Sequence, residues 1–249
     1  MSHTIYTAYA GLASRAEALE MISHNLANLQ SAGFKRTQFF FQALNQLRDH
    51  SLSPLGGAIN GPVVRAWGTT DFSGGSLAET GNPLDLALTG DGFFAVDTPS
   101  GVRYTRNGHF TLNSAGELLT SDGHRVLGEG PNPEGQPLIL PPGRVEVAPA
   151  GQITVDGVPA GRLRLVSFDD LSRLTAAGAS LFRAEPGMER VPPSKTGVVQ
   201  GFLEQANVGA VESVTEMIAL MRSFEMLTQT IRSLNQDVDQ KMINEVGRF

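Results

Sequence analysis

Met217-Ile218-Ala219-Leu220-Met221-Arg222-Ser223-Phe224-Glu225-Met226-Leu227 opens a stretch in which apolar residues recur at helical spacing. Met217, Phe224, Ile231 and Val238 stand seven apart, and Leu220, Leu227 and Leu234 form a second row three residues further along. Rows of this kind make one narrow seam on a helix, and such a seam is buried against another helix. The opposite end of the chain carries a matching row, Ile5, Leu12, Leu19 and Leu26. Helices are therefore predicted over about residues 4–31 and 208–246. The first, at 1.5 Å per residue, makes a rod of roughly 40 Å. One helix runs toward the middle of the chain and the other away from it, so an intrachain pair is antiparallel. The alternative is burial against other copies of the chain.

The middle of the chain has a different character. Short apolar runs alternate with turn dipeptides such as Asp91-Gly92, Ser100-Gly101, Asn107-Gly108, Ala115-Gly116 and Asp122-Gly123. That spacing predicts an antiparallel meander with strands at 93–96, 102–105, 109–112, 117–119 and 125–127. A short helix is expected within 169–178. Residues 34–79 combine the run Phe39-Phe40-Phe41 with scattered Gly and Pro, among them Pro54, Gly56, Gly57, Gly61 and Pro62. They read as an irregular, extended connector. The expected fold is α+β, with long N- and C-terminal helices forming a coiled-coil stalk and a central, mostly antiparallel β-rich domain. The expected division is a terminal helical domain of 1–33 and 208–249, a connector of 34–79 and a β-rich domain of 80–207.

Composition narrows the function. The chain has 249 residues, of which 41% are hydrophobic, enough to build a core. Its net charge is −6 with no basic block, so nucleic acid is not an expected partner. Absence of cysteine removes disulfides, thiolate metal sites and cysteine nucleophiles. No apolar run reaches the length of a membrane span, so membrane insertion is not expected. Met1-Ser2-His3 lacks the basic start of a secretory signal, so any export is expected to proceed without a cleaved signal peptide.

Catalytic patterns are missing as well. His3, His24, His50, His109 and His124 form no His-Glu-x-x-His, and neither a Gly-x-Ser-x-Gly elbow nor a phosphate-binding Gly-rich loop occurs. Asp85, Asp91 and Asp97 lie six apart, but Asp91 and Asp97 fall at turns, which accounts for them better than a glycosidase pair does. No catalytic residue, cofactor or metal is expected. Asn25 and Asn28 lie near the apolar row of the first helix. They are either solvated helix surface or amides that fix register against a neighbouring helix.

Three segments, taken in order, resemble one family. Ser23-His24-Asn25-Leu26-Ala27-Asn28-Leu29-Gln30-Ser31-Ala32-Gly33-Phe34-Lys35 resembles the N-terminal motif of the bacterial flagellar rod and hook axial proteins. Gly81-Asn82-Pro83-Leu84-Asp85, with Gly90-Asp91-Gly92-Phe93 and Tyr104-Thr105-Arg106-Asn107-Gly108, resembles their central motif. Asn207-Val208, Met217-Ile218 and Phe224-Glu225-Met226 resemble their C-terminal helix. The chain departs from the pattern at His24, Ala32 and Gly209, where the family has Asn, Pro and Asn. Its length and the opening Ile5-Tyr6-Thr7-Ala8 are most similar to the proximal-rod branch, with the distal-rod branch as the alternative.

The resemblance implies a structural subunit that polymerises through its terminal helices into the axial shaft used in motility. The implied assembly surface is Ile5, Leu12, Leu19, Leu26, Asn25, Asn28, Met217, Leu220, Phe224, Leu227, Ile231, Leu234 and Val238. Its implied partners are further copies of itself, adjacent rod proteins and the flagellar type III export apparatus, and its implied location is the basal-body rod across the periplasm. Helices with an unburied seam are marginal in water, so the termini are expected to order on assembly. Two rivals are a periplasmic enzyme acting on peptidoglycan and a free-standing oligomeric coiled-coil binding module.

Overall fold

The computed structural model describes residues 2–44, 63–131, 135–178, 180–190 and 196–246, with side chains described for these apart from 2–7, 42–44, 63–66, 234–235 and 237–246. Helix α1 spans Ser2–Ala27 and helix α2 spans Ala210–Val246. The chain divides into two compact units. The first holds residues 1–27, 37–69 and 209–249, and the second holds 28–36 and 70–208.

In the first unit the helices run antiparallel. Arg15 Nε donates to Ser223 Oγ at 2.6 Å, and a Cβ on Gly11 would lie 3.9 Å from the Leu227 side chain. Ala18, Ile22 and Leu220 form a small buried cluster, flanked by Leu19, Met217 and Phe39. Phe39 belongs to strand β1 (Thr37–Leu44), which pairs with β2 (Val63–Thr70). At Gly68 this ribbon runs hard against α1, because a Cβ there would approach the Met21 sulfur to 3.0 Å. The connector expected at 34–79 thus contributes this ribbon. The cluster Pro54, Gly56, Gly57, Gly61 and Pro62 lies outside the described residues.

The expectation of an α+β fold with a coiled-coil stalk is corrected on two findings. First, β-structure predominates: among the described residues only two α-helices flank nineteen strands and one 3₁₀ turn. Second, α1 does not meet α2 with an apolar heptad row. Its buried face is Gly11, Ser14, Ala18, Ile22 and Asn25, mostly small or polar, while Leu12, Leu19 and Leu26 are only half-buried beside it. Small residues allow close approach without large interlocking knobs, so the contact lacks the side chains that define a coiled-coil seam. Helix α1 also ends earlier than its periodicity suggests. Asn28 O accepts from Ser31 N at 3.1 Å, and Ser31 O accepts from Phe34 N at 3.2 Å. These two turns carry Gly33 into the left-handed region, at φ +66°.

The second unit is built on strand β5 (Phe93–Thr98). Three further strands lead to it and beyond it: β3 (Leu77–Glu79), β4 (Leu86–Thr89) and β6 (Gly101–Thr105). Successive side chains of a strand point to opposite faces. In β5, Phe94 and Val96 therefore enter one core with Leu86, Phe110, Val126 and Ile153, while Phe93 and Ala95 enter another with Tyr104, Val166, Phe168 and Phe182. This explains the unbroken apolar run Phe93-Phe94-Ala95-Val96: both faces are covered. Antiparallel neighbours of β5 are β6, Arg125–Gly128 and Leu165–Phe168, within a ten-stranded sheet. Strands expected near 109–112 and 117–119 are found at Phe110–Leu112 and Leu118–Thr120. The expected short helix is a 3₁₀ turn, Leu171–Arg173, capped by the Asp170 carboxylate.

The last two strands return to the first two of the unit. Gly197–Gln200 pairs antiparallel with β4, and Phe202–Glu204 pairs antiparallel with β3. The same region contains a close backbone approach at Gly108, where a Cβ would lie 1.6 Å from Leu86 O. Leu86 N donates to Gly108 O across this contact at 3.0 Å. Substitution Gly108→Ala forces the strands apart and is expected to cost about 3 kcal/mol, at the upper end of overpacking effects. Chemical denaturation of the variant beside the parent chain measures it, and an unchanged midpoint contradicts this packing.

Candidate functional site

Closure of the strand Phe202–Glu204 on β3 brings Glu204 into the interior, where it is 2% exposed. Two cations meet its carboxylate. Lys35 Nζ donates to Glu204 Oε1 at 2.6 Å and to Ser73 O at 2.7 Å. Arg106 Nη1 donates to Glu204 Oε2 at 3.4 Å, and its Nη2 donates to Gly90 O at 2.8 Å. The Arg106 guanidinium also lies 5.0 Å from the centre of the Phe93 ring. Gly75 N completes the shell by donating to Glu204 Oε1 at 2.9 Å. Burial pushes the Lys35 ammonium below the ordinary lysine range, against the opposing pull of Glu204. Burial likewise lowers Arg106, with Glu204 and Asp91 opposing. Arg106 Nε is a buried donor without a protein partner.

Backbone contacts surround the charges. A Cβ on Gly33 would fall 2.2 Å from Arg106 C, so this position accepts only hydrogen on both steric and conformational grounds. Gly33 N donates to Glu204 O at 2.7 Å. Asn207 ties the same strands together: its Oδ1 accepts from Arg36 N at 2.7 Å, and its Nδ2 donates to Asp71 O at 2.8 Å and Ser73 O at 3.2 Å. Burial works against ionisation of Asp71. The hydrogen bonds from Ser73 and the Arg36 guanidinium together hold its carboxyl below the usual Asp range.

The central-motif residues are structural in the same sense. Asn82 Nδ2 and His109 Nδ1 lie 3.0 and 2.7 Å from Asp85 Oδ1, and Asp85 O accepts from Gly201 N at 2.8 Å. Gly81, at φ +70°, donates its N–H to Gly201 O at 3.1 Å. Pro83 O accepts from Gln200 Nε2 at 2.8 Å. Asp91 O accepts from Thr196 Oγ1 at 2.8 Å, beside Gly92, where a Cβ would meet the Thr196 methyl at 2.8 Å. Gly90 supplies the carbonyl that Arg106 reads, and Phe93 the ring beneath it. Tyr104 is buried and donates its hydroxyl to Glu189, which also pairs with Arg164.

The helical residues fall on several sides of α1 and α2. Leu220 and Ile231 are buried, and Met217, Phe224 and Leu227 are half-buried. Asn25 is buried and grips the ribbon, with Nδ2 donating to Thr37 O at 2.8 Å and Oδ1 accepting from Thr37 N at 2.9 Å. Asn28 Oδ1 accepts from Ser31 Oγ at 3.1 Å in the turn after α1. The side chains of Ile5, Leu234 and Val238 lie outside the described residues. A second apolar row, Val211, Val214, Ile218 and Met221, is exposed on α2, with Val211 at 83%.

Lys35, Asp71, Ser73, Glu204 and Asn207 were not singled out from sequence as site residues. Lys35 and Asn207 stand inside the quoted family motifs, and a further signal was two charges of opposite sign, Lys35 and Glu204, each beside an apolar residue. Among the described residues no group of His, Asp or Glu could hold a metal ion, and no helix is long and apolar enough to cross a membrane. The charges described here hold chain segments in place.

Comparison with known proteins defines the class. Residues 87–157 match the family described as the flagellar hook protein FlgE/F/G D1 domain, and residues 199–244 match the flagellar basal body rod FlgEFG protein C-terminal family. The chain is 32% identical to the flagellar basal-body rod protein FlgF of Mesorhizobium japonicum, over 96% of each chain. It is 34% identical to FlgF of Salmonella typhimurium, over 95% of this chain and 96% of that one. It is 29% identical to the rod protein FlgG of Bacillus subtilis, over 98% and 99%. The chain belongs to the flagellar basal-body rod protein family.

Tyr104 offers a spectroscopic check on the interior. Burial, reinforced by Glu189, pushes its phenol far above the ordinary range. The fold therefore favours the protonated form. That contribution is fully present below the ordinary tyrosine pKa of about 10 and is lost as pH rises above it. Titration followed at 295 nm is expected to show no Tyr104 ionisation before alkaline unfolding. A component near pH 10 in folded protein that disappears in Tyr104→Phe contradicts this environment.

Proposed function

We propose that this chain is a structural subunit of the bacterial flagellar basal-body rod, of the proximal-rod kind, without enzymatic activity. The observation that carries the reading is the row Val211, Val214, Ile218 and Met221, exposed along one helix. A contiguous apolar row left in water marks an interaction surface. In this reading it is buried against neighbouring copies of the chain and adjacent rod proteins. The proximal assignment is supported by identities of 32% and 34% to two proteins named FlgF, against 29% to one named FlgG.

Residues 1–33 and 208–249 then serve as the assembling part, 34–79 as the connector and 80–207 as the β-rich part. Ile5, Leu12, Leu19, Leu26, Asn25 and Asn28 on α1, with Met217, Leu220, Phe224, Leu227, Ile231, Leu234 and Val238 on α2, form and border the helix surfaces that assemble. The subunit reaches the basal body through the flagellar type III export apparatus without a cleaved signal, and the lack of cysteine suits passage as an unlinked chain. A filament needs heterologous contacts that do not close, and an exposed row beside a filled one can supply them.

Paired substitution Val214→Asp/Ile218→Asp tests the reading. Both positions are exposed, so the isolated subunit is expected to keep its stability within about 0.5 kcal/mol. Incorporation into basal bodies and swimming in a complemented null strain are expected to be lost. Normal incorporation of a stably folded variant sinks this assignment of the surface.

A further inference from the structure

The three charges at the centre of the β unit come from three distant parts of the chain. Lys35 lies in the segment 28–36 that follows α1, Arg106 follows strand β6, and Glu204 ends the strand shortly before α2. The Lys35 side chain is 0% exposed and that of Glu204 is 2% exposed. Water therefore cannot replace a missing partner: removing Glu204 leaves buried cations uncompensated, and removing Lys35 leaves the carboxylate with Arg106 alone, at 3.4 Å. Segment 28–36 cannot dock with Lys35 charged unless Glu204 is already there. Glu204, in turn, needs a cation.

We propose that Lys35 and Glu204 form a conformational latch that makes docking of segment 28–36 and of segment 202–208 a single cooperative event. Further bonds are carried with the latch: Gly33 N to Glu204 O, Gln205 N to Ser76 O, Asn207 N to Phe34 O and Arg36 N to Asn207 Oδ1. Opening it releases residues 33–36 and 204–207 together as one locally unfolding unit. The latch is asymmetric. Loss of Lys35 leaves Arg106 paired with Glu204, whereas loss of the Glu204 charge leaves Lys35 and Arg106 without the one carboxylate that bonds them both. The inference rests on the fold of the β unit and not on the rod reading.

Hydrogen–deuterium exchange on the full-length chain tests it, comparing the parent with Lys35→Met and Glu204→Gln. Both substitutions are expected to speed exchange by about tenfold or more at Gly33, Phe34, Gln205 and Asn207 alike, since breaking a buried pair costs well over a factor of ten in local stability. Glu204→Gln is expected to have the larger effect. Amides of Phe94 and Val96, in the central strand, are expected to keep their protection. Acceleration confined to the segment that carries the substitution, or no acceleration in either segment, overturns the latch. Should Glu204→Gln fail to fold, Lys35→Met, which retains the Arg106–Glu204 pair, decides alone.

Discussion

One carboxylate answering two buried cations is the constraint on which the β unit turns. A buried charge without a partner is costly, so Glu204, Lys35 and Arg106 can coexist only if three chain segments converge. Convergence dictates the rest. Gly33 must lack a side chain because Arg106 backbone occupies its Cβ space. Gly75 N is drawn to the same carboxylate, and Asn207 closes the gap between Arg36 and Asp71. Gly33, Lys35, Arg106 and Asn207, drawn from the three quoted motifs, therefore lie at or beside one junction in the β unit.

The helices obey a different physics. Helix α2 carries two apolar rows, one lying against α1 and the other open. Helix α1 meets it with Gly11, Ala18 and Ile22, flanked by Leu19, and the first two allow close approach but contribute little apolar area. Apolar contact is non-directional and scales with area. A helix pair of this kind gains modestly from its own contact, and α2 retains apolar surface for further burial.

How much of this could be read from sequence depends on the range of the signal. The β5 run Phe93–Val96 and the Gly-marked turns are local, and the strands stand close to where those signals fall. Helix positions were equally legible, because 3.6-residue periodicity survives over many turns. The stalk was misread for a definite reason: heptad counting rewards large apolar residues, and the buried side of α1 is built from small and polar ones. Gly11, Ser14 and Asn25 carry no hydrophobic signal, yet they line the covered face. The junction was the least legible part. Lys35 and Glu204 are 169 residues apart, and nothing periodic links them. The motif Gly33-Phe34-Lys35 marked one partner, but only the antiparallel pairing of Phe202–Glu204 with Leu77–Glu79 shows where Glu204 goes.

A directional junction and a non-directional row suit different tasks within one chain. Replacing a buried ion pair by apolar residues often costs nothing in stability, so the pair is poorly explained as a source of stability alone. Its geometric demand is the better explanation. Two oxygens of one carboxylate must face an ammonium on one side and a guanidinium on the other, with Gly75 N and Ser73 O in reach. Few alternative registers of segments 28–36 and 202–208 meet that demand, whereas purely apolar segments could slip. The polar knot thus selects one arrangement within the subunit, and in the proposed assembly the exposed apolar row Val211, Val214, Ile218 and Met221 leaves contact with neighbours to area and shape.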